Sequence, residues 1–103
     1  MHKGGTALAG EGEVLVRVPG PLRSLTQGQG EVRGRPGTLR SLIDELDAAY
    51  PGLKARLCEP DGSLRRFVNV FVDEEDVRFL KGLDTEVRAG ARVSILPAVA
   101  GGA

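Results

Sequence analysis

Apolar positions along this chain switch between two periods. Val14, Val16 and Val18 alternate with Leu15 and Arg17, a period of two that predicts a strand ending before Pro19. Gly20 to Gly30 carries Pro21 and three glycines and reads as turn or loop. Glu31 to Arg35, with Val32 between polar neighbours, is a weaker strand suited to pair with the first. Leu39, Leu42, Ile43, Leu46 and Tyr50 then recur at helical spacing, with Arg40, Asp44, Glu45 and Asp47 on the other side. Thr38 is placed to cap that helix, and Pro51-Gly52 stops it. Leu53 to Arg66 is irregular, with a turn at Pro60-Asp61-Gly62. Phe67 to Val72 predicts a strand with Phe67, Asn69 and Phe71 on one face and Val68, Val70 and Val72 on the other. The valine face is the better core candidate, because a buried Asn69 would need partners. Glu75 to Leu80 reads as a connecting turn or short helix, and Thr85–Val87 and Arg92–Leu96 as short strands joined through Ala89-Gly90.

Strand, strand, helix, strand, short element and further strands make a two-layer α+β domain over 13–97. Residues 1–12, small and Gly-rich, read as a loose end, and 98–103 as an uncharged tail of small residues after Pro97. At 103 residues the chain holds one domain at most.

Charge removes some functions. Fourteen basic residues balance fourteen acidic ones, so no net field draws the chain to nucleic acid or an anionic membrane. No basic stretch carries interleaved aromatic rings for base stacking. A single cysteine, Cys58, allows no internal disulfide, and no apolar run reaches signal-peptide or membrane length, so a cytoplasmic location is expected. No acid/base or nucleophile constellation stands out, and the chain is not expected to be an enzyme.

The stretch RFVNVFVDEEDVRFLKGLDTEV followed by GARVSILPAVAGG resembles the ThiS/MoaD-type β-grasp sulfur carriers, most nearly those of the CysO type. TLRSLIDELDAAYPGL (Thr38 to Leu53) fits the helix of that family. The resemblance implies a ubiquitin-like β-grasp: a mixed sheet, one main helix across one face, and a flexible C-terminal tail. It also implies a function in which the carrier is not a catalyst but a protein co-substrate. A MoeB/ThiF-like adenylating enzyme would use ATP to activate the Gly102 carboxylate, and a sulfur nucleophile would convert it to a thiocarboxylate. A pyridoxal-phosphate-dependent (PLP) cysteine synthase would take the sulfur for cysteine biosynthesis. No cofactor is expected on the chain itself. Two departures stand out: the sequence continues from Gly102 to Ala103, and Ala91-Arg92 follow Gly90 where such carriers commonly have an acidic residue.

The residue types of the tail suit this chemistry. A carboxylate is a poor acyl donor until a mixed anhydride with AMP supplies a good leaving group. Gly101 and Gly102 lack side chains, and with Ala100 and Val99 they can thread a narrow channel. From Pro97 to Gly102 an extended chain spans on the order of 20 Å. While Ala103 is attached, Gly102 is an internal amide and cannot be adenylated. The resemblance implies trimming at the Gly102–Ala103 bond by a zinc-dependent JAMM-type metallopeptidase; tolerance of the extra residue by the activating enzyme is the alternative.

Other features have plainer readings. If the valines face the core, Phe67 and Phe71 form an exposed patch able to dock a partner; if both faces are covered, they do not. Cys58, with no His or second Cys nearby in sequence, reads as passive. His2 lies in the loose start, so no metal site is expected. Asp73 to Asp76 reads as a solvated acidic turn, and Arg65-Arg66 as either a hydrated pair or a contact for an acidic partner. Three other functions remain open: the small subunit of molybdopterin synthase, a ubiquitin-like modifier conjugated through Gly102, and an interaction module with an inert tail.

Overall fold

The structure is a computed structural model and describes residues 12–97. The loose start and the tail residues Val99, Ala100, Gly101, Gly102 and Ala103, with the roles expected of them, lie outside the described residues.

The elements in chain order are β1 (Val14–Arg17), a 3₁₀ turn (Gly20–Thr26), β2 (Glu31–Gly34), β3 (Gly37–Thr38), α1 (Leu39–Ala49) and α2 (Leu53–Leu57). There follow β4 (Val68–Val72), β5 (Glu75–Asp76), two single 3₁₀ turns (Val77–Phe79 and Gly82–Asp84), β6 (Glu86–Val87) and β7 (Arg92–Pro97). The five-stranded sheet runs β2-β1-β7-β4-β5, while β3 and β6 pair separately. Within the large sheet β1 and β7 are parallel and the other neighbours antiparallel. This is the mixed sheet with one main helix that the resemblance implied.

Alternation explains which side of the sheet is core. Val14 and Val16 of β1, Val68, Val70 and Val72 of β4, and Val93 and Ile95 of β7 are all buried. Helix α1 lays Leu39, Leu42, Ile43 and Leu46 into the same core. The Thr38 hydroxyl accepts from the Ser41 N–H at 3.1 Å, so the helix starts where the cap was expected. At its other end Asp47 Oδ1 accepts from the N–H groups of Gly52 and Lys54, both at 3.1 Å, which fastens α2 to α1.

The structure corrects three readings of the pattern. Gly20–Gly30 contains a 3₁₀ turn that buries Leu22 and Thr26, and Leu53–Arg66 begins with a true helix. Thr85–Val87 contributes β6, which pairs with β3 ahead of α1 and not with the final strand. A two-residue strand is too short to show a period, and its partner choice is set by the whole fold.

Two backbone features carry measurable consequences. The β4–β5 hairpin turns through Asp73 and Glu74, both in the left-handed region (φ 49° and 75°) that glycine tolerates best. Glu74→Gly therefore raises stability by up to about 1 kcal/mol, the left-handed cost outweighing glycine's extra freedom when unfolded. Gly34 on β2 lies against α1, where an added Cβ would meet Leu42 Cδ1, a side chain that is itself fully buried. Gly34→Ala is expected to lose about 1–3 kcal/mol in urea unfolding through overpacking; an unchanged midpoint would show that Leu42 rotates away freely.

Candidate functional site

The tail leaves the domain from the middle strand of the large sheet. Strand β1 flanks β7 only as far as the pairs Val16–Val93 and Arg17–Ser94. Beyond that point β7 runs on beside β4 alone, through Val70–Ile95, Asn69–Leu96 and Val68–Pro97. The strand thus includes Pro97, one residue more than its pattern suggested. Proline's missing N–H costs nothing here, because Val68 turns its own N–H and C=O away from β7: the N–H donates to the Arg65 carbonyl at 3.1 Å, and the C=O accepts from Arg78 at 2.8 Å.

Beside this exit lies the outer face of the sheet. Phe67 is 52% exposed and Leu96 51%, while Phe71 is half-buried opposite Ser94. The valine face is core and the phenylalanine face is open, as the alternation implied. Leu15, Arg17, Arg33 and Arg92 continue the same face across β1, β2 and β7, with Glu31 opposite Arg17. The result is an apolar strip, centred on β4 and the end of β7, beside guanidinium groups. Leu96 was not singled out in the sequence, because the run Ile95-Leu96-Pro97 is apolar throughout and shows no alternation. Phe79, 88% exposed on the turn after β5, was also missed.

The remaining candidate residues take structural parts. Cys58 is buried, bridges to Leu64, and has its thiol pKa pushed up by that burial. Arg65 donates to the Ala55 carbonyl through Nε (3.1 Å) and Nη2 (2.9 Å) and lies 3.5 Å from Glu59, so it braces α2. Arg66 stands 6.0 Å over the Phe67 ring. In the acidic turn Asp73 Oδ1 accepts from the Arg92 N–H (3.0 Å) and Asp76 Oδ1 from the Arg78 N–H (2.8 Å), which ties two of the four carboxylates to the backbone.

Among the described residues no three His, Cys, Asp or Glu side chains cluster to hold a metal ion. Two clefts of about 410 Å³ each, one beside Arg40 and one beside Lys54, are open to solvent. Arg40 at the first is paired with Asp84, and Lys54 at the second with Asp44. No helix of the described residues is long and apolar enough to cross a membrane.

Comparison with known proteins agrees with this geometry. Sulfur carrier protein CysO of Mycobacterium tuberculosis is 48% identical over 91 residues, covering 86% of this chain and 98% of that protein. A chain in the crystal structure of the Amycolatopsis orientalis BexX/CysO complex superposes with a TM-score of 0.81 at 45% identity, covering 86% of this chain and 99% of that one. Small archaeal modifier protein 3 of Haloferax volcanii is 40% identical over 65 residues, 63% of this chain and 70% of that protein. With the ThiS family profile matching residues 16–102, this ubiquitin-like β-grasp chain belongs to the ThiS family.

Proposed function

We propose that this chain is a sulfur carrier whose working group is the carboxylate of Gly102. The observation that carries the reading is the coincidence of two ends: the family match stops at Gly102, and the strand leading there is the clamped central strand of the sheet. A tail rooted so firmly can be pulled into another protein's active site without loosening the core. The relatives named as a sulfur carrier and a putative sulfur carrier match 86% of this chain over 98% of their own length and support the same role.

The chemistry runs in four stages. Hydrolysis of the Gly102–Ala103 bond by a JAMM-type zinc peptidase exposes the carboxylate. That carboxylate attacks the α-phosphate of ATP in a MoeB/ThiF-like enzyme, pyrophosphate leaves, and an acyl-adenylate forms. A sulfur nucleophile displaces AMP to leave the thiocarboxylate. The thiocarboxylate sulfur then bonds to the β-carbon of an activated serine held by a PLP-dependent cysteine synthase as the activating group leaves. Hydrolysis of the acyl–cysteine link frees cysteine and restores the Gly102 carboxylate, which places the carrier in cysteine biosynthesis. ATP, zinc and PLP all belong to the partners. Val99, Ala100 and Gly101 thread the active-site channel, and the outer face with Phe67 and Phe71 docks the domain.

A second reading, a modifier joined to lysines through Gly102, draws support from the likeness to the archaeal modifier protein. The two separate on the product: a thiocarboxylate on an unconjugated chain ending at Gly102, or higher-mass conjugates that vanish when Gly102 is deleted.

Intact mass spectrometry after incubation with peptidase, adenylating enzyme, ATP and a sulfur donor is expected to show loss of one alanine, then the exchange of one oxygen for sulfur. A sulfur gain on chains that retain Ala103 would overturn obligatory trimming. Docking is tested separately. Phe71→Ser is expected to weaken binding to the adenylating enzyme about tenfold while costing no more than about 1 kcal/mol of stability. A large stability loss with normal affinity would instead make Phe71 a core residue.

A further inference from the structure

Phe67 stands on a turn, just before β4 begins. The Val68 N–H donates to the Arg65 carbonyl at 3.1 Å, closing a four-residue turn with Arg66 and Phe67 at its centre. Neither central residue is a glycine, proline or asparagine, the types that set turn geometry on their own. The turn is held instead by a side chain from elsewhere in the fold.

Arg78 supplies it. Its Nη2 donates to the carbonyls of Arg65 (2.8 Å), Arg66 (3.2 Å) and Val68 (2.8 Å), and its Nη1 to Asn69 Oδ1 (2.8 Å). One guanidinium thus gathers the main chain on both sides of Phe67. It also fixes Asn69, which lies across the strand pair from Leu96. The base of Arg78 is itself anchored, by its N–H on Asp76 Oδ1 and by fully buried Val77 beside it. A lysine ammonium, a single point of charge, cannot reproduce a fork that reaches four acceptors.

We propose that Arg78 is a positioning residue for partner docking: it holds the Arg65–Val68 turn so that Phe67 is already in place before a partner arrives. This rests on the outer face being the docking surface. A side chain that must be ordered during binding weakens affinity by about 3- to 10-fold, and Arg78 removes that loss in advance. Arg78 is exposed, so its removal leaves the core intact.

The test is a double-mutant cycle on the full chain, with affinity for a MoeB/ThiF-like adenylating enzyme read by titration calorimetry and backbone order by ¹⁵N relaxation. Arg78→Ala is expected to weaken binding about fivefold and Arg78→Lys about two- to threefold. In the free Arg78→Ala protein, order parameters at Phe67 and Val68 are expected to fall to about 0.6 or lower, with β1 and β7 unchanged. On a Phe67→Ala background, Arg78→Ala is expected to add almost nothing, whereas a generally structural arginine would add its full effect. That full effect, or an undisturbed turn in Arg78→Ala, would overturn the proposal. Wild-type affinity in Phe67→Ala would overturn the docking surface and the positioning claim with it. Weakened Phe67→Ala beside normal Arg78→Ala would overturn the positioning claim alone.

Discussion

The rungs that hold β7 between β1 and β4 are the constraint from which the rest follows. A parallel pair cannot be closed by a tight turn and needs a long crossover. Here nearly the whole domain, including α1, lies between β1 and β7 in sequence. The last described strand therefore completes the sheet at its centre, where Val93 and Ile95 fill the core facing Leu42 and Leu46 of the helix layer. Losing β7 would divide the sheet in two. Any pull applied beyond Pro97 is thus borne by one of the best-secured elements of the fold, and opening energies are largest in such elements.

The same sheet treats its two faces differently. One is closed by α1 and α2. Among the described residues the other has no helix over it, an arrangement open to sheets with antiparallel edges. Edge pairing is limited by the strands themselves: β2 carries Glu31 and Arg33, and β5 is only two residues long. Beyond the end of β5, the Val68 carbonyl faces no strand among the described residues and is occupied by Arg78. Sequence economy follows from this layout. Alternate residues of β4 supply the core and the open face at once, so a one-residue slip in register would exchange them.

Much of this was legible in the sequence because it depends on period. The stripe of α1 and the alternation of β1 and β4 each specify a buried side directly, and the burial of Leu39, Leu42, Ile43 and Leu46 and of the β4 valines follows it. The shortest elements were less legible: β3 and the five-residue α2 showed no signal, and β6 was readable as a short strand but its pairing with β3 was not, because all three depend on tertiary partners. The Arg78 cluster was hidden for a different reason. Its four acceptors lie 9 to 13 residues back in sequence, and three of them are main-chain carbonyls that carry no residue signature. The tail's chemistry was legible only through family resemblance, since Gly-Gly alone occurs readily in a chain with 15 glycines.

The burial of Cys58 bears on the proposed chemistry in a way its position in the sequence did not suggest. An acyl-adenylate is open to attack by any thiolate that can reach it, and a carrier with a reactive cysteine would risk capture by another copy of itself. Cys58 is 4% exposed. Burial, the largest influence on its thiol, raises the pKa, and the Lys54 charge, the next influence, acts in the other direction without reversing the shift. A raised pKa keeps the neutral form over a wider range of pH, and the neutral thiol is not the nucleophile. The single sulfur atom in a cysteine side chain of this protein is thereby kept out of reaction with the acyl group at the far end of the chain.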